Sequence, residues 1–231
     1  MSLRILPDSV GLAEAIADRI FEVLTAALKA RGSASIVLAG GSTYHDAYAR
    51  LGTVYGSKLD WEKVSFYFGD ERCVSPEDER SNYGQAKRYL LDVLPVVRPP
   101  HVLWMETEDD CEEASQRYAD LLPDRFDLVL LGLGPDGHAA SLFPGSLAHI
   151  REGALTAVTQ AELPPLVKRI TLTPLALSRG EHVLVAASGA AKSPIVEKIL
   201  RQGYSSAVGL VKPLSGELEW LLDAEAGGSL A

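Results

Sequence analysis

The sequence predicts an α/β fold, a mainly parallel sheet with helices on both faces. Two observations predict it. Seven short apolar runs (SIVLA, VSFYF, HVLWM, DLVLLGL, ALTAVT, RITLT and HVLVAA) read as strands, and segments of helical periodicity lie between several of them. Several runs are apolar at almost every position, which suits strands buried on both faces rather than strands with one wet face. With 231 residues, 47% of them hydrophobic, the chain can build a substantial core. One domain over residues 1–231 is expected, with 226–231 as a frayed tail.

Taken in order, Asp8 or Ser9 caps a first helix. Its apolar positions Val10, Ala13, Ile16, Ile20, Val23, Ala27 and Leu28 recur at helical spacing until Gly32 stops it. SIVLA runs into Gly40-Gly41-Ser42-Thr43 and the helical segment YHDAYARL. VSFYF runs into Gly69-Asp70-Glu71-Arg72-Cys73, and Ser81 or Asn82 caps the next helix, SNYGQAKRYLLDVL. HVLWM precedes the helix EEASQRYADLL, and DLVLLGL runs into Gly134-Pro135-Asp136-Gly137-His138. ALTAVT and RITLT follow, and HVLVAA leads through Ser188-Gly189-Ala190-Ala191 to Lys192 and the helix KSPIVEKILRQG. Ligands of such sheets gather at the carboxyl ends of strands. Small residues, hydroxyls and charges therefore converge on one rim.

Composition narrows the function. The net charge of −9 opposes broad attraction to nucleic acid or to an anionic membrane surface, so an anionic ligand needs a local basic pocket. No run approaches 18 apolar residues and MSLRILPDSV lacks a signal-peptide pattern, which points to the cytoplasm. Cys73 and Cys111 form neither a C-x-x-C pair nor a zinc cluster, and reduced thiols are expected.

Three motifs carry chemistry. Gly40 and Gly41 let backbone N–H groups approach a ligand, and the helix start at Ser42-Thr43 favours an anion; an ordinary capped turn is the alternative. The loop is neither a Walker A sequence nor a G-x-S-x-G elbow, because Tyr44 stands where the elbow needs glycine. Gly132, Gly134 and Gly137 have G-x-G-x-x-G spacing, but Pro144-Gly145 interrupts the helix that a dinucleotide site requires, and Glu152 precedes the next apolar run instead of ending it. His138 beside an expected helix start is held neutral by the local field, as a general base requires. His138 and His149 are too far apart in sequence to suggest a metal pair, and no H-E-x-x-H occurs. Arg169 and Lys192 offer a fork and a point charge for a phosphomonoester.

Together and in order, LAGGSTY, FGDERCV, SNYGQAKRYLL, LGLGPDGHAASLFPG, RITLT and SGAAKS resemble the glucosamine-6-phosphate isomerase/6-phosphogluconolactonase family, over about residues 35–200. The resemblance implies a single Rossmann-like domain, similar to the glucosamine-6-phosphate deaminase/ribose-5-phosphate isomerase superfamily. It implies hydrolysis of 6-phospho-D-glucono-1,5-lactone to 6-phosphogluconate in the oxidative pentose phosphate pathway, with no metal or organic cofactor. By motif matching, His138 activates water and Asp136 orients it or binds sugar hydroxyls. Gly40, Gly41, Ser42, Thr43, Asp70, Arg72, Asn82, Gly137, Arg169 and Lys192 bind the substrate. The division of Arg72, Arg169 and Lys192 between phosphate and lactone carbonyl stays open. Deaminases carry an acidic residue in N-E-P where this chain has Phe143 in L-F-P. A phenyl ring cannot supply the acid that ring opening and amine chemistry need. A deaminase and a non-catalytic sugar-phosphate sensor are the alternatives. The expected partner is a small phosphorylated sugar lactone, bound by a monomer or weak homo-oligomer.

Overall fold

The structure is a computed structural model that describes residues 1–95, 101–107, 110–216 and 218–230. Nine strands and seven α-helices follow one another as β1 (Ser2–Leu6), α1 (Ser9–Arg31), β2 (Ala34–Leu38), α2 (Ser42–Tyr55), β3 (Val64–Phe68), β4 (Asp70–Arg72), α3 (Asn82–Ala86), α4 (Cys111–Asp120), β5 (Phe126–Gly132), β6 (Thr156–Gln160), β7 (Lys168–Leu172), α5 (Pro174–Leu177), β8 (Gly180–Ala187), α6 (Ser193–Gln202), β9 (Leu218–Asp223) and α7 (Ala224–Gly227) among the described residues. Six strands form a sheet in the order β1-β9-β8-β5-β2-β3, every neighbouring pair parallel. β4, β7 and β6 form a smaller antiparallel sheet.

The period of two along each central strand sends alternate side chains to opposite faces. Ile36, Leu38, Phe66, Phe68, Leu128, Leu130 and Leu184 join α1 and α2 in one core. Val37, Tyr67, Val129, Leu131, Val183 and Val185 join α4, α6 and α7 in the other. This two-sided burial is why the runs read as continuously apolar. Asp8 caps α1 by accepting from Gly11 N–H at 2.8 Å, and Gly32 ends it at φ 75°. Ser81 caps α3, accepting from Gly84 N–H at 3.0 Å, and the chain continues through a wider π turn over Lys87–Leu91.

Several expectations need correction. HVLWM is not a strand: only Val102 bridges Phe66, at the edge of β3. RITLT and ALTAVT leave the parallel sheet for the smaller one, where the expected loop Asp70-Glu71-Arg72 pairs with β7. β1 and β9 were not anticipated. Residues 226–230 of the expected frayed tail are helical instead, with Ala226 fully buried; Ala231 lies outside the described residues. Cys73 and Cys111 are not free thiols but a disulfide, with Cα atoms 6.4 Å apart. The end of β4 and the start of α4 meet there, 38 residues apart in sequence.

Candidate active site

Three adjacent parallel strands, β8, β5 and β2, deliver three loops to one edge of the sheet. Two buried tyrosines of α2 fasten the ends of β2 and β5. Tyr48 Oη donates to Ala39 O at 2.8 Å and accepts from Ala39 N–H at 3.0 Å, while Tyr44 Oη donates to Leu131 O at 2.9 Å. Above them opens a cavity of about 420 Å³, lined by Gly40, Gly41, Ser42, Thr43, Asp70, Arg72, His138, Arg169 and Lys192 among others. Nine of the twelve expected site residues therefore share one wall.

The loop after β2 opens α2 without a side-chain cap. Gly41 adopts φ 97°, ψ 157°, a conformation open essentially only to glycine, and its carbonyl accepts from Tyr44 N–H at 3.1 Å to start α2. Gly41 itself is the cap and offers no side chain, so the hydroxyls of Ser42 and Thr43 are not spent on capping. Both residues line the cavity at the positive end of a 14-residue helix, whose first-turn amides have no intrahelical partner.

The smaller sheet supplies cations. Arg72 and Arg169 stand directly opposite each other in the β4–β7 ladder, and both reach the cavity. Like charges in that position repel, an arrangement that an anion between them relieves. Arg169 is 4% exposed, donates from Nη2 to Pro165 O at 3.2 Å and lies 3.9 Å from Asp70 Oδ2. Its Nε and that of Arg72 are buried without a hydrogen-bond partner. Burial lowers the pKa of Arg169, Asp70 opposes the shift, and Arg72 reinforces it. Lys192 from the third loop has no ion-pair partner among the described residues; burial lowers its pKa too, with Asp136 pulling the other way. The site thus holds three cations with donor capacity to spare.

The loop after β5 carries His138 to the cavity. Residues 133–146 contain no helix, so the field of a helix start that was expected to act on His138 is absent. Asp136 replaces it. Its Oδ1 accepts from His138 Nδ1 at 2.5 Å and from His138 N–H at 3.1 Å. Because a carboxylate only accepts, the neutral tautomer that suits this contact carries its proton on Nδ1 and leaves Nε2 free. Gly134 is needed below: a Cβ there would lie 2.1 Å from His138 Nδ1. Gly137 turns the loop at φ 90°. Phe143, fully buried, holds its ring 4.7 Å from that of His138 and 5.6 Å from the Arg169 guanidinium.

Three of the expected contacts, Asp136, Gly137 and Asn82, do not line the cavity. Asp136 and Gly137 flank His138 in its loop, and Asn82 is 3% exposed, with Nδ2 donating to Asp70 O and Oδ1 at 2.8 and 3.0 Å. A Cβ on Gly40 would collide with Asn82 Oδ1, so this glycine buys room for the asparagine as well as for a ligand. Two supports escaped sequence reasoning. Ser141 donates to Asp70 Oδ2 at 2.5 Å, tying the histidine loop to β4. Glu71, 1% exposed, accepts from the N–H groups of Arg72, Asn82 and Tyr83, each at 2.7 Å, and from Ser81 Oγ at 3.0 Å. Its place after a strand and ahead of a capped helix was the available signal.

Comparison with known proteins follows the same lines. A family model described as glucosamine-6-phosphate isomerases/6-phosphogluconolactonase matches residues 7–220. The chain belongs to this family. Among family relatives, the 6-phosphogluconolactonase of Mycobacterium leprae is 34% identical, with 99% of this chain and 98% of that protein covered. The structure of 6-phosphogluconolactonase from Trypanosoma brucei superposes with a TM-score of 0.87 at 30% identity, covering 100% of this chain and 98% of that one. A monomeric glucosamine-6-phosphate deaminase shares the fold, at a TM-score of 0.84 and 22% identity over 100% of both chains.

Proposed function

We propose that the protein hydrolyses 6-phospho-D-glucono-1,5-lactone to 6-phospho-D-gluconate, acting as one sugar-phosphate-binding unit. One observation carries this reading. His138, tethered at Nδ1 by Asp136, shares a single cavity with Arg72, Arg169 and Lys192. A base and an excess of positive charge suit a neutral electrophile attached to a phosphate. The family relatives named 6-phosphogluconolactonase support the same substrate.

In this reading Nε2 of His138 takes a proton from water as the water oxygen bonds to the lactone carbonyl carbon. The carbonyl oxygen becomes an oxyanion facing the cationic wall. Collapse breaks the bond to the ring oxygen, which receives the proton from His138 and becomes a hydroxyl. The product carboxyl then ionises and releases one proton to solvent. A general base supplies about 10²- to 10⁴-fold and an oxyanion donor about 3 kcal/mol, enough for an ester already activated by its ring. Gly40, Gly41, Ser42 and Thr43 hold the phosphate with the cations. Asp70 orients Arg169 and Asn82, and Asn82 supports the loop from behind.

Phe143 speaks against the deaminase alternative. Where ring opening needs an acid, this chain packs a buried phenyl ring against His138. Proton release after adding fresh lactone, measured against spontaneous opening, tests the proposal. Acceleration by the protein without ammonia from glucosamine 6-phosphate is expected; ammonia release, or no acceleration, would overturn it.

A further inference from the structure

We infer that Asp223, at the carboxyl-terminal end of the chain, is a positioning residue that sets Lys192 in the substrate site. The inference rests on the reading of Lys192 as a substrate-binding cation. Nothing in the local sequence LLDAEAG suggests a link to the site, yet the topology makes one. β8 and β9 are parallel neighbours with Ala187 opposite Leu222, so Asp223 emerges beside the loop that begins at Ser188.

Asp223 is 3% exposed, and the loop meets its carboxylate with donors. Ser188 Oγ donates to Oδ2 at 2.5 Å, and Gly189 N–H reaches Oδ1 and Oδ2 at 3.1 and 3.0 Å. Ala226 N–H donates to Oδ1 at 2.7 Å, so the same carboxylate caps α7. Gly189 is held at φ 89°, ψ 152°, where only glycine is at ease, and its carbonyl accepts from Lys192 N–H at 3.0 Å. Two hydrogen bonds in series thus run from Asp223 to the backbone of Lys192. The geometry repeats that of Gly41 and Tyr44 across the cavity, but there no carboxylate among the described residues grips the loop.

The same terminal segment braces the far side of the turn. Glu225 Oε2 accepts from Ala190 N–H at 3.3 Å. A Cβ on Gly228 would lie 2.1 Å from Ser193 Oγ, one residue beyond Lys192. Asp223, Glu225 and Gly228 therefore contact 188–193 from end to end. An Arg or Lys on a free loop loses side-chain and backbone freedom on binding; a pre-set turn avoids part of that cost.

A mutant cycle on the full chain tests this. Asp223→Asn keeps a good helix cap but replaces one acceptor oxygen by an NH2 group. It is expected to raise KM for the lactone about tenfold, with turnover within about threefold, and to add less than about twofold when Lys192 is already alanine. If Lys192→Ala raises KM while Asp223→Asn does not, or if the two effects multiply in the double variant, this inference is overturned and the reading of Lys192 survives. An unchanged KM in Lys192→Ala removes the reading of Lys192 and this inference with it. Should Asp223→Asn fail to fold by thermal melting, Ser188→Ala removes a loop donor without touching the α7 cap. A rise in KM of about threefold that vanishes beside Lys192→Ala is then expected, and an unchanged KM or a multiplicative effect overturns the inference.

Discussion

Nδ1 of His138 lies 2.5 Å from Oδ1 of Asp136, and the same oxygen accepts the backbone N–H of His138. A carboxylate two residues before His138 thus holds both the ring and its backbone. Asp136→Asn can present its NH2 group to the ring and stabilise the wrong tautomer, with Nε2 protonated. Initial rates should fall by about 10² or more with KM little changed, since comparable tautomer errors cost about 10⁴ in a serine protease triad. Turnover within a few-fold of wild type would mean that Asp136 has no such hold.

Phe143 is a second specific expectation. Phe143→Leu keeps the apolar wall beside His138 and should retain lactone turnover within about fivefold, because swaps between apolar residues cost little when the site can adjust. Phe143→Glu places a carboxylate within reach of Arg169 and should reduce kcat/KM more than about tenfold by drawing that cation away from the substrate. Equal rates in the two variants would show that the wall has no part in the reaction.

Stability should respond to Glu71. Burial raises its pKa from an ordinary 4.5 to about 7, against the opposing N–H donors of Tyr83, Asn82 and Arg72. The folded state therefore holds this proton more tightly than the unfolded chain does. Its contribution is greatest below pH 4.5 and is lost as pH rises through about 7. Urea unfolding of wild type and Glu71→Gln across that window should show the difference moving against wild type by about 3 kcal/mol. A flat difference would place the Glu71 carboxyl at its ordinary value.

What the sequence disclosed followed physical lines. β2, β3, β5 and β8 were legible because burial on both faces makes their runs continuously apolar. β1 and β9 were not, because SLRIL is an exposed edge strand and β9 carries Glu219, which pairs with Arg19 of α1 at 2.7 Å. β4 hid as a loop, since Asp-Glu-Arg has no strand propensity and is held by its partners instead. In the site, His138, Arg72, Arg169 and Lys192 could be read because each follows or sits in a motif of chemical character. Asn82 read as a ligand contact from its polarity, and its burial behind Gly40 is a tertiary relationship that no local pattern carries. The Cys73–Cys111 pairing and the grip of Asp223 on Ser188 and Gly189 join distant segments, and no local pattern carried them.

The most direct test of the account is single-turnover hydrolysis of fresh 6-phosphogluconolactone by His138→Ala, paired with calorimetric binding of 6-phosphogluconate. The account predicts loss of about 10²- to 10⁴-fold in the chemical step, with product affinity within about threefold of wild type, because the base leaves while the cationic wall stays. Near wild-type hydrolysis by a folded His138→Ala protein would contradict it.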